Sequence, residues 1–167
     1  MRSTLFVTML LAVSLTLGRA AESQAPATTQ AAQITATSPE LEQRDQPVTA
    51  DDVAILVRAD ALLSSAAVWN RADERECKDD EVTGKRSLFC ALEKACIDVL
   101  GSYDHRRVAL QEVRFAVEDA TRGRAFEHRL RDFNNLPETR LEDVKRVLAI
   151  AKDRVSTRLK AKKSGAA

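Results

Sequence analysis

The sequence predicts an all-α domain, a small bundle of four to five helices after a signal peptide and a disordered linker. Three observations lead there. Apolar residues recur every three or four positions in several separate stretches, which is the period of a helix face. Helix starts and stops stand where such stretches need them: Thr49, Ser87 and Thr139 before, Gly101 and Pro137 after. No stretch alternates apolar and polar residues as a half-buried strand does. With 167 residues the chain suits one domain better than two.

Residues 1–20 have the layout of a cleaved secretory signal peptide. Arg2 supplies the positive start, Leu5 to Leu17 is an apolar run, and Gly18-Arg19-Ala20 sets small residues before a cut after Ala20. The run is short of the roughly 20 apolar residues of a membrane span, so no span is expected after cleavage. Residues 21–48 are rich in Ala, Gln, Thr, Ser and Pro and lack aromatic residues. Such a stretch buries too little apolar surface to offset the entropy of ordering it, and it reads as a disordered linker.

The helical domain is expected over 49–160. Thr49, with Asp52 three residues on, resembles a capping box. Ile55, Leu56, Ala59, Leu62, Leu63, Ala66 and Trp69 then predict a helix from about Asp51 to Asn70, with Trp69 closing one end of the core. Arg71 to Arg86 is polar and reads as a long loop turning at Gly84. Ser87 to Leu100 is apolar on most sides, so it is expected at the centre of the bundle, capped by Ser87 and stopped by Gly101.

Asp104 is the expected cap of the next helix, whose stripe is Ala109, Leu110, Val113, Ala116, Val117 and Ala120. Gly123 predicts a break, and a short helix resumes to Phe133. Asn134-Asn135-Leu136-Pro137 reads as a turn, and Thr139 with Glu142 as a capping box for the last helix. That helix carries Leu141, Val144, Leu148, Ala151, Val155 and Leu159 on one face. It is expected to fray near Lys160, leaving 161–167 as a disordered tail.

The charge balance narrows the partners. The chain has 26 basic and 25 acidic residues. Loss of Arg2 and Arg19 with the signal peptide leaves a mature chain near neutrality. That gives no electrostatic case for nucleic acid, and an unidentified protein partner remains open. Arg122, Arg124, Arg129, Arg131 and Arg140 cluster in sequence, but acidic residues are interspersed among them. A solvated face is the simpler reading, with Arg129 and Arg131 as candidate contacts for a ligand or partner.

Cys77, Cys90 and Cys96 are the most informative side chains. An exported protein meets oxidising conditions, so a disulfide is expected. Cys90 and Cys96 rise about 9 Å apart on one helix and point in different directions, so Cys77 must pair with one of them. On the helical wheel Cys96 lies beside the main apolar face and Cys90 points away, which favours Cys77–Cys90 with Cys96 as a buried thiol. Closing such a loop stabilises by about 3 kcal/mol in the chain-entropy model. A redox or metal site lacks its signature spacing here, and no metal or cofactor is expected.

No catalytic residue is assigned. His105 and His128 are the only histidines and neither sits in a hydrolase motif. A small hydrolase using one of them with a carboxylate is the competing class, although the adjacent Glu127 and His128 would point to different faces of a helix. Asn134 and Asn135 could contact a ligand through their amides, against the simpler role of a helix stop.

Two stretches carry a family resemblance. Phe89-Cys90-Ala91-Leu92 resembles the aromatic-Cys-Ala-Leu-Gly-Ala-Leu helix of an uncharacterised bacterial and phage domain family, and the chain reads as DUF6197-like. Phe133 to Pro137, followed by Thr139 to Leu148, is similar to that family's Trp-Asn-Asp turn and next helix. The resemblance spans about residues 55–156. Glu93 replaces the family's Gly, Phe133 its Trp and Asn135 its Asp, so no role for an acidic group in that turn carries over. The family has no established activity, and the resemblance implies a fold more than a function. The combined expectation is an exported, non-catalytic binding or structural module.

Overall fold

The computed structural model describes residues 47–77 and 80–165, with the backbone alone at Asp80 and Glu81. The expected signal peptide and nearly all of the expected linker lie outside the described residues. The fold is all-α. Its helices are α1 (Ala50–Leu62), the single-turn α2 (Asp80–Thr83), α3 (Leu88–Leu100), α4 (Val108–Ala120), α5 (Arg129–Asn135) and α6 (Leu141–Ser164). Among the described residues, no helix is long and apolar enough to cross a membrane.

A helix of about thirteen residues is marginal alone in water, so each must be held by the face it buries. Ile55 and Leu56 of α1, Leu88 and Leu92 of α3, Leu110, Val113 and Val117 of α4, and Val144, Leu148 and Val155 of α6 are sealed from solvent. Burying one such side chain is worth about 1.5–3 kcal/mol. α1 and α4 each pack on three helices, α1 on α3, α4 and α6 and α4 on α1, α5 and α6. The expectation that Ser87–Leu100 is central is therefore corrected. α3 buries one face and leaves Ile97 41% exposed, because its chief helical partners are α1 on one side and the short α5 on the other.

Helix starts differ from expectation in an instructive way. The Thr49 N–H donates to Asp52 Oδ2 at 2.9 Å, as a capping box requires. Asp52 does more. It is fully buried, its Oδ1 accepts the Ala109 N–H at 3.1 Å, and its Oδ2 meets Arg107 Nη2 at 2.9 Å. The start of α4 is thus capped from α1, across the bundle. Asp104, the expected cap, instead closes a turn by accepting the Arg106 N–H at 2.9 Å, and α4 begins only at Val108. Similarly, Thr139 and Glu142 do not form the cap of α6. The Arg140 N–H donates to Asp143 Oδ2 at 3.0 Å, one residue later.

Helix ends differ too. α1 stops at Leu62, well short of Asn70, and Ala66 is exposed. The chain turns at Ser64-Ser65, residues that favour turns over helix interiors. It then runs beside Arg86, with Asn70 N–H to Arg86 carbonyl at 2.9 Å and Arg86 N–H to Val68 carbonyl at 2.8 Å. That pairing requires extended backbone around Trp69. α6 runs to Ser164, past the expected fray at Lys160 and into the expected tail. Lys162 Nζ donates to the Val48 carbonyl at 3.3 Å, and Val48, expected in the linker, is buried against the core. Ser87 and Gly101 bound α3 as expected. The Ser87 hydroxyl accepts the Cys90 N–H at 3.1 Å, and Gly101 takes φ +78°, which suits a residue without a Cβ.

Candidate functional site

On one flank of the core, the loop residues Trp69 to Arg75 lie against α5 and the turns that flank it. Asn134, on the last turn of α5, is fully buried and holds that loop. Its Oδ1 accepts from Trp69 Nε1 at 2.8 Å and from the Leu88 N–H at 3.0 Å. Its Nδ2 donates to the Asn70 carbonyl at 2.9 Å and to Asn135 Oδ1 at 3.1 Å. Asn135 in turn accepts the Asp73 N–H at 2.8 Å and donates to the Asp73 carbonyl at 3.0 Å. Both amides are therefore engaged within the fold. Both residues lie within α5, so the turn expected from Asn134 onward is corrected and begins only after Asn135. The helix stops at Leu136, whose extended backbone is the one favoured before Pro137.

Two further contacts fix the loop. Arg71, which stacks on the Trp69 ring at 5.4 Å, donates through Nη2 to the carbonyls of Leu136, Pro137 and Thr139 at 2.9–3.2 Å. Cys77 and Cys90 stand at disulfide distance, with sulfurs 2.03 Å and Cα atoms 5.5 Å apart. Cys96 is a separate thiol, fully buried, and burial pushes its pKa up to about 11. A thiol so placed has neither the access nor the thiolate character that redox chemistry needs.

Arg75 and Cys77 take positive φ, +64° and +54°, which L-residues adopt only when surroundings enforce it. Arg75 reaches over the Phe89 ring, 5.9 Å from its centroid, and its Nη1 lies 2.8 Å from His128 Nε2. Here a cavity of about 390 Å³ opens between the loop, α4 and α5. Four arginines line it: Arg75, Arg114, Arg129 and Arg131. His128, Gln111 and Glu127 join them, and Phe89, Phe115, Phe126 and Leu130 supply apolar wall.

The structure brings Arg129, Arg131 and His128 together and leaves the other candidates apart. His105 is exposed and lies outside the cavity, although its carbonyl accepts from Arg114 Nη1 at 3.0 Å and from Gln111 Nε2 at 3.1 Å. Arg129 pairs with Glu118 at 3.0 Å and Arg131 with Asp132 at 2.7 Å. Burial raises the Asp132 pKa, but the His128 N–H and Arg131 outweigh it and hold the carboxyl low. Glu127 and His128 precede α5, so the helical argument that separates them does not apply, and Glu127 Oε1 comes within 3.7 Å of His128 Nε2. Arg75 and Arg114 were not foreseen. A signal for Arg114 exists, since Gln111, Arg114 and Phe115 form a second stripe at three and four spacing beside the apolar one. None exists for Arg75, whose placement depends on the fold of a long loop.

Among the described residues, no group of three or more His, Cys, Asp or Glu side chains could hold a metal ion. An arrangement of guanidinium groups over aromatic walls is suited to holding a negatively charged molecule, through charge-assisted and two-pronged hydrogen bonds.

No curated protein and no solved structure matches the chain. Residues 47–154 match the model of a family described as a family of unknown function (DUF6197). The match covers α1 to α5 and the first half of α6, and with them the loop and every residue lining the cavity. The chain belongs to this family of unknown function.

Proposed function

We propose that the protein is an exported, non-catalytic binding module whose binding site is the arginine-lined cavity beside α5. The observation that carries the reading is the state of His128. Its Nε2 faces Arg75 Nη1 at 2.8 Å, and a guanidinium can only donate, so the lone pair a general base would use is engaged. Among the described residues, no serine, threonine or cysteine lines the cavity to serve as a nucleophile. Export is supported by the layout of residues 1–20 and by a cysteine pair at disulfide distance.

The competing reading, a small hydrolase, draws on the approach of Glu127 to His128. Turnover separates the two. Ester, amide and phosphate-ester substrates are incubated with the wild type and with His128→Ala, and the expected result is no turnover that depends on His128. Hydrolysis lost in His128→Ala would replace the binding reading with the enzymatic one. Export is tested by intact mass of the protein recovered outside the cytoplasm, with Ala21 as the expected first residue.

A further inference from the structure

The cavity's charges are unevenly matched. Arg129 and Arg131 have carboxylate partners in Glu118 and Asp132. Arg114 makes its hydrogen bonds to neutral groups instead: its Nη1 donates to the His105 carbonyl at 3.0 Å, and its side chain hydrogen-bonds to Tyr103. Burial pushes the Arg114 pKa down, and the charges of Arg129 and Arg75 push the same way. Arg75 faces the His128 ring nitrogen and the Phe89 ring. Arg114 is partly withdrawn from water, at a cost that an arriving anion offsets, while Arg75 stays exposed at the rim and Glu127 is the carboxylate among the lining residues. Beside these cations stand the apolar faces of Phe89 and Phe126, in a space of about 390 Å³. Small-molecule sites are typically of that size and combine apolar walls with a few convergent polar groups.

We infer that the cavity is a site for a small organic oxyanion, a carboxylate or phosphate group carried on a flat apolar body. Arg114 and Arg75 supply the donors to the oxyanion, and Phe89 and Phe126 flank the apolar part. The inference rests on the binding reading above and names the chemical class of its ligand.

Calorimetric titration of the mature chain at fixed ionic strength tests it, with phenyl phosphate, benzoate, inorganic phosphate and benzylammonium as probes. Phenyl phosphate and benzoate are expected to bind. Inorganic phosphate, lacking the ring, is expected to bind about tenfold more weakly than phenyl phosphate. Benzylammonium, with the ring and the opposite charge, is not expected to bind. Arg114→Gln and Arg75→Gln should each weaken phenyl phosphate by about tenfold or more, the loss of one charge-assisted hydrogen bond. Lys152→Gln, on the exposed side of α6, should leave it unchanged. Arg75 lies on the loop, so its variant keeps the test open if Arg114→Gln fails to fold. Benzylammonium binding as well as benzoate, or phenyl phosphate affinity untouched by both arginine variants, would overturn the inference. So would the absence of binding by both organic anions, while a binding role toward another partner would stand. Phenol release that disappears in His128→Ala would overturn the non-catalytic reading and leave the anion class in place.

Discussion

Val113 on α4 and Asn134 on α5 are both completely buried, and they are held in opposite ways. Val113 belongs to an apolar cluster shared by α1, α3, α4 and α6, where burial itself is the driving force. Asn134 is fixed by four hydrogen bonds that tie together Trp69, Asn70, Leu88 and Asn135. The two regions divide the work of the molecule. The core supplies the fold, and the flank, formed by α5 and the loop that carries Arg75, closes the arginine cavity against α3 and α4. Non-directional burial tolerates exchange among residues of similar volume, whereas a set of directional bonds specifies one placement of each group. A binding site needs the second kind of support.

The largest expected effect tests the core at its fully buried carboxylate, Asp52. Asp52→Ala strips the cap from α4, leaves Arg107 without its buried partner and unpairs the Thr49 and Ala109 N–H groups. Removing one member of a buried ion pair typically costs about 3–5 kcal/mol. Urea denaturation should show a loss in that range, and a change below about 1 kcal/mol would mean that water replaces the carboxylate. Next, Leu92→Ala should cost about 2–5 kcal/mol, and Ile97→Ala on the same helix only about 0.5 kcal/mol. Equal denaturation midpoints for the two would contradict the one-sided burial of α3.

The flank should respond differently. Asn134→Ala leaves the Trp69 indole N–H and the Leu88 N–H without their acceptor, at about 1–3 kcal/mol for each buried group. Hydrogen exchange is expected to rise in residues 69–86 and in α5 before it rises in α1, α4 and α6. Uniform loss of protection would show that the two regions unfold as one.

This division also explains what could be read in advance. The apolar stripes of α1, α3, α4 and α6 were legible because burial imposes a period on the sequence. Ser87 and Gly101 were legible because caps act on their own helix. Asp52 was read only as a local cap, since its bond to Ala109 spans 57 positions. Asn134 was read as a turn residue or ligand contact for the same reason, because its partners Trp69 and Leu88 lie 65 and 46 positions away. Arg129 and Arg131 were singled out from their clustering. Arg75 and Arg114 were not, because only tertiary structure brings a loop and a helix flank to one cavity.

The smallest expected effect is electrostatic. Lys94 and Arg58 hold the Asp98 carboxyl below the usual carboxylate range, linking α3 to α1. A depressed folded-state pKa contributes stability that is present above the unfolded value, near pH 3.9, and is lost as pH falls through the folded value. The carboxylate is partly exposed, so the contribution should stay within about 1 kcal/mol. Asp98→Asn should lower stability slightly at pH 7 and flatten the acid limb of the stability profile below pH 4. An unchanged acid limb would remove this pair from the account.

The claim that the core makes the fold and the flank completes the site has one direct test. Phenyl phosphate affinity and helical circular dichroism are measured together on the native chain and on the Cys77→Ser/Cys90→Ser variant. Because Cys77 anchors the loop that presents Arg75, the variant should keep its helical signal at low temperature and lose affinity by about tenfold or more. Unchanged affinity, or loss of helical signal in step with affinity, would contradict the separation of the two regions.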